Sequence, residues 1–157
     1  MKYDLIYKEI LSEGEKIARP YGIKIGEKNI LFPCSIGTGS DRKTPRILEV
    51  QDLIIVNFSS FTLEESQEMK RLGVDMSRNI WAFDLQGNKV WEISPAAKIG
   101  ERSYSYNSLW IKEKNKTGDI WSNIKDGTVI VGTSFGADYI LDVSNGHVEL
   151  IKGQRAW

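Results

Sequence analysis

Short β-branched and aromatic segments separated by Gly, Asn and Asp run through most of this sequence, and that pattern constrains the fold more than any other feature. A segment of this length has its backbone groups unpaired until a neighbour lies beside it, so consecutive antiparallel hairpins are the expected outcome. Strands are predicted near 3–10, 22–33, 45–50, 53–59, 79–85, 88–94, 107–113, 119–124, 127–133, 138–143 and 147–152. Two turns anchor the register. Gly87-Asn88 puts glycine first in a two-residue loop, as a type II′ turn requires, and Asn145-Gly146 is the favoured type I′ pair. A two-residue loop at Asn145-Gly146 sets Asp142 opposite Glu149, a like-charge pairing that a longer loop starting at Asp142 relieves.

The exception to the strand pattern is Thr62 to Gly73, where Leu63, Met69 and Leu72 lie near one helical face. Thr62 and Glu65 form a T-x-x-E capping box, Glu64, Glu65 and Glu68 complement the positive end of the dipole, and Lys70 and Arg71 complement the negative end. Gly73 closes the helix in the left-handed conformation. The spacing thus predicts one short helix over 62–72, docked through its apolar stripe because so short a helix is marginal alone.

Two stretches read as copies of one unit, near 45–94 and 119–152 within a single domain spanning 1–157. In each, a nearly continuous apolar strand (Leu53-Ile54-Ile55-Val56, then Val129-Ile130-Val131) precedes an aromatic-bearing strand that ends in Asp84 or Asp142, a Gly-containing turn and a return strand. Continuous apolarity is expected of a strand covered on both faces. The first copy carries an insertion, roughly 60–78, that contains the helix; the second has only Ser134 to Ala137 there. This order of elements, with Val90-Trp91 on the first return strand, resembles one blade of the quinoprotein type of β-propeller. The resemblance implies architecture; those propellers bind pyrroloquinoline quinone in a central channel, but the shared motif is structural. A blade takes ~40–50 residues and closure needs about four blades, so 157 residues hold about three units. The expected fold is therefore mainly β, antiparallel meander repeats forming an open partial propeller or a two-sheet β-sandwich, with an uncovered face or edge that invites a partner.

Composition then removes function classes. Twenty-one basic and 21 acidic residues leave no excess charge to attract a nucleic acid or an anionic membrane surface. One cysteine, Cys34, and one histidine, His147, leave no Cys-rich zinc site, disulfide framework or CxxC pair, and no metal or other cofactor is expected. The N-terminus interrupts its apolar residues with charge, and the longest apolar runs are strand-length, so a cytoplasmic protein is expected.

The chemical candidates read as structure. Asp84 and Asp142 resemble a carboxylate pair, yet each stands just before a turn whose N–H groups it can accept. His147, Ser144 and Asp142 crowd a hairpin end rather than an oriented triad, and Cys34 has no imidazole nearby. The segment Ile36-Gly37-Thr38-Gly39-Ser40-Asp41-Arg42-Lys43-Thr44 lacks phosphate-loop spacing and reads as a mobile surface loop, and the lysines of 112–116 read as a solvated turn. Trp81 and Trp91 are expected in the core, while Tyr104, Tyr106 and Trp157 are candidates for an interface.

In size and style the chain resembles the immunity proteins paired with bacterial contact-dependent growth inhibition toxins. That resemblance implies a protein partner, a toxin domain held one-to-one with its active site occluded, and no small-molecule substrate. If the toxin is a nuclease its cleft is basic, and Phe61 with Glu64, Glu65 and Glu68 on the helix forms the first candidate contact. Asp41 in loop 37–46 and Tyr104 and Tyr106 in segment 104–110 come next. Two alternatives stand beside it: a small carboxylate-dependent hydrolase using Asp84 and Asp142, and a propeller fragment that docks on a larger protein.

Overall fold

In the computed structural model, which describes residues 2–39, 41–96, 104–113, 121–134 and 136–151, eleven strands form three antiparallel meanders. The first sheet contains β1 (Asp4–Ser12), β2 (Glu15–Ile25) and β3 (Lys28–Leu31). The second contains β4 (Ile47–Val50), β5 (Leu53–Asn57), β6 (Ile80–Phe83) and β7 (Lys89–Glu92). The third contains β8 (Tyr106–Ile111), β9 (Val129–Thr133), β10 (Asp138–Leu141) and β11 (Val148–Leu150). Among the described residues the chain is thus mainly β with one short α-helix, as expected, and its sheets stay open. No helix among the described residues is long and apolar enough to cross a membrane.

Alternation along the apolar strands stacks the sheets. Ile54 and Val56 of β5 pack with Ile23, Ile25 and Phe32 of the first sheet, whereas Ile55 packs with Val129, Val131 and Tyr139 of the third. The second sheet is therefore the middle layer, and its continuous apolar strand is covered on both faces, as the sequence implied. Strand β9 repeats the device: Val129 and Val131 face the middle sheet, and Ile130 joins Ile124 and Ile151 on the far side with Trp110, Trp121 and Ile140 against them. Trp91 lies in the layer between second and third sheets, its indole donating to the Val143 carbonyl at 2.9 Å. Trp81 is half-buried against Phe58 and Phe32, with the Lys89 ammonium over its ring.

Several boundaries differ from expectation. The span 22–33 contains a turn: Gly26, at φ 59°, heads a two-residue loop in which Ile25 pairs with Lys28. Tight loops with two positive-φ residues fall at Glu13-Gly14 and, without glycine, at Gln51-Asp52. Both turns chosen from sequence are longer than two residues, the second in the way the Asp142–Glu149 clash called for. The Asp84 N–H donates to the Asn88 carbonyl, so the first loop is Leu85-Gln86-Gly87. The Asp142 N–H donates to the His147 carbonyl, so the second is 143–146, with Gly146 alone at positive φ, and Glu149 faces Ile140 instead of Asp142. Strand 119–124 is replaced at Trp121–Asn123 by a 3-10 turn, and the second repeat unit begins at β8. Trp157 and Lys114 and Lys116 of the basic run lie outside the described residues; Lys112 is buried and paired with Asp126 at 2.5 Å, not solvated.

Candidate functional site

The inserted helix α1 (Leu63–Leu72) forms where predicted, with both halves of the capping box present and Gly73 at φ 71° closing it. Its docking face is not the apolar stripe. Met69 is buried, but Leu63 is 70% and Leu72 55% exposed. What clasps the helix is Glu65. Its carboxylate accepts from the Tyr21 hydroxyl, the Ser35 N–H at 2.9 Å, the Ser35 hydroxyl at 3.3 Å and the Phe61 and Thr62 N–H groups at 2.8 and 3.3 Å. Five donors on one buried carboxylate bind the helix N-terminus to β2 and to the 34–36 segment. Burial and the bond to Glu65 push the Tyr21 hydroxyl above its usual range, and burial beside Glu65 pushes the Cys34 thiol up to about 12. Glu65 therefore leaves the set of partner-binding candidates. Tyr106 leaves it too: the ring is fully buried, its hydroxyl donates to the Ser94 carbonyl at 2.7 Å, and burial raises its pKa.

The remaining candidates lie outside. Phe61 is exposed, with the Arg19 guanidinium over its ring at 4.2 Å. With Leu11 at the β1–β2 tip and Leu63, it lines an open cleft of about 550 Å³ whose rim includes Glu13 and Glu64. Glu68 is bonded to Arg71 at 2.5 and 2.9 Å, which holds its carboxyl below the usual range and neutralises it locally. Of the three helix glutamates, Glu64 alone is exposed without an ion-pair partner among the described residues. Asp41 is exposed; the Thr44 hydroxyl, then the Lys43 and Thr44 N–H groups, hold its carboxyl down to about 2. Tyr104 is half-buried.

Asp84 accepts from the Asn88 and Gln86 N–H groups, and Asp142 from the Ser144 N–H and hydroxyl, which holds both carboxyls low. Each carboxylate is committed to its own loop. The Ser144 hydroxyl donates to Asp142 rather than to an imidazole, and His147 is exposed on the hairpin.

Sequence reasoning missed a second cleft and its arginine. Segment 36–38, expected as part of a mobile surface loop, is largely buried and bonded into the middle sheet: Gly37 N–H to the Asn57 carbonyl at 2.9 Å, and Arg46 N–H to the Gly37 carbonyl at 2.7 Å. Only the turn after it is exposed. Arg46 crosses over Gly37, where any Cβ would collide with its guanidinium. Its Nε donates to Asn57 Oδ1 at 2.6 Å, Nη1 to the Thr38 carbonyl at 2.6 Å and Nη2 to the Ser59 hydroxyl at 3.0 Å. Asn57 and Asn79, both fully buried, continue this network to the Tyr106 backbone. The visible signal was Asn57, a polar residue closing the apolar run 53–56. Beside Arg46, Gly39, Asn107, Ser108, Leu109 and Trp110 enclose a cleft of about 530 Å³, so loop 37–46 and segment 104–110 meet, though not through Asp41 or Tyr106.

No protein-family model matches the sequence, and neither a curated protein nor a solved structure shows significant similarity to the chain. The functional reading rests on the surfaces themselves.

Proposed function

We propose that this chain is a binding protein that docks through its first sheet and the N-terminal end of α1, and that the partner is a bacterial toxin domain which it neutralises as an immunity protein by covering the active site. The observation that carries the reading is the uneven placement of exposed apolar side chains. Of the seven large ones among the described residues, Tyr7, Leu11 and Leu31 belong to the first sheet and Phe61, Leu63 and Leu72 to α1 and its approach; only Val90 lies elsewhere. A concentration of this kind marks an interaction surface, where scattered single residues do not. Leu11, Phe61 and Leu63 supply anchors around the cleft, and Glu13 and Glu64 supply a negative rim suited to a basic nuclease cleft.

The test is affinity isolation from the source cell followed by co-expression with the recovered partner. The expected partner carries a toxin domain, binds one-to-one and stops killing when the wild-type chain is present. Phe61→Ser with Leu63→Ser should abolish protection while the thermal midpoint stays put. Glu64→Lys should weaken the complex most at low salt. A partner without toxic activity rejects the immunity reading, and full protection by the double variant rejects the surface.

A further inference from the structure

We propose that the cleft between the 37–46 loop and β8 is a binding site for a small anionic ligand, with Arg46 holding its carboxylate or phosphate group. The cleft shares no lining residue with the docking cleft, and Arg19, whose guanidinium also lies over Phe61, is the one group near both. Arg46 is half-buried, and all three of its hydrogen bonds go to neutral acceptors: Asn57, the Thr38 carbonyl and Ser59. No carboxylate among the described residues lies within ion-pair distance of it. A second guanidinium, Arg19, which lies over the Phe61 ring, reaches the Ile36 carbonyl at 3.5 Å, also without an ion pair among the described residues, and its Nε is buried without a hydrogen-bond partner.

Charge removed from water is normally matched by an opposite charge, and two guanidiniums without ion pairs, bonded to the Ile36 and Thr38 carbonyls, create a local positive field. Burial first, and then the Arg19 charge, lower the Arg46 pKa to about 10, which leaves it fully cationic at neutral pH. A guanidinium has five N–H donors, so two of those on Arg46 remain for a ligand. Gly39 offers no side chain to fill the space, and Asn107 and Ser108 add polar groups at the wall. Leu109 and Trp110, with Arg46 itself, continue the wall into an adjoining cavity of about 340 Å³ whose apolar lining is Ile47, Leu48 and Ile111 and whose one carboxylate is Glu113. A ligand with an anionic head and an apolar body matches that sequence of surfaces.

The experiment is a titration of the isotopically labelled full chain, followed by amide and indole NMR, with inorganic phosphate in one arm and malonate in the other. The expected result is saturable shifts grouped at Gly39, Asn107, Leu109 and Trp110, with millimolar affinity for at least one anion; the arm that saturates identifies the head group. Asn107→Asp, a near-isosteric change that adds a negative charge at the wall, should weaken binding about threefold. Arg46→Met should remove saturation where circular dichroism shows a native fold; if it does not fold, Asn107→Asp decides. Linear, ungrouped shifts in both arms, or unchanged affinity in Asn107→Asp, would overturn the proposal.

Discussion

At the outer face of the third sheet, Ile130 packs with Ile124 and Ile151, with Trp110, Trp121 and Ile140 closing around them, whereas on the first sheet Tyr7, Leu11 and Leu31 stand 59%, 66% and 69% exposed. Both ends belong to the same stack of meander sheets, and an open stack has two terminal faces that nothing in the repeat itself covers. One end is sealed by the chain, through a 3-10 turn and the residue after β11. Near the other, the inserted helix is held by the Glu65 carboxylate network and by Met69, which reaches the layer between the first and second sheets, and it leaves Leu63 and Leu72 outside. The lesson is that helix α1 completes the fold at Glu65 and Met69 while extending an apolar surface at Leu63.

The difference can be broken by mutation. Truncating the sealed end has the largest effect: Ile130→Ala, at a fully buried position, should lower the unfolding free energy in urea by about 3 kcal/mol. Next comes the clasp. Glu65→Ala strands the Tyr21 hydroxyl and several backbone donors and should cost about 2–3 kcal/mol in the same measurement, while Glu64→Lys one residue away should cost almost nothing. A smaller effect is alkaline. Because Cys34 is raised from 9.0 to about 12, the folded state retains a proton that the unfolded state loses. That stability is complete below pH 9 and is lost as pH rises toward about 12, so the midpoint of urea unfolding should fall across this window and Cys34→Ser should flatten the fall. The smallest effect belongs to the exposed sheet, where Leu31→Ser should change stability by no more than about 0.5 kcal/mol.

The sequence made the architecture legible where a residue pattern had one physical solution. Uninterrupted apolar strands had to be covered twice, T-x-x-E followed by Gly73 had to be a capped helix, and Asp84 and Asp142 had to serve their turns. Turn lengths were less legible, because a Gly at positive φ closes loops of two, three or four residues and only the paired register selects among them. The site was least so. Glu65 carried two incompatible readings, cap and surface charge; a capping carboxylate turns back onto the backbone and is removed from the surface. Arg46 gave no local signal, since its role follows from Gly37, Asn57 and Ser59, which only the folded chain brings beside it.

The central claim is that the open end of the stack is the docking end, and hydrogen–deuterium exchange of the isolated complex tests it most directly. Slowed exchange at 6–14 and 61–64 with no change at 121–124 and 148–151 is the expected result. Protection confined to the Trp121 to Ile124 end, with the β1–β2 tip and the start of α1 exchanging as in the free chain, would contradict the account.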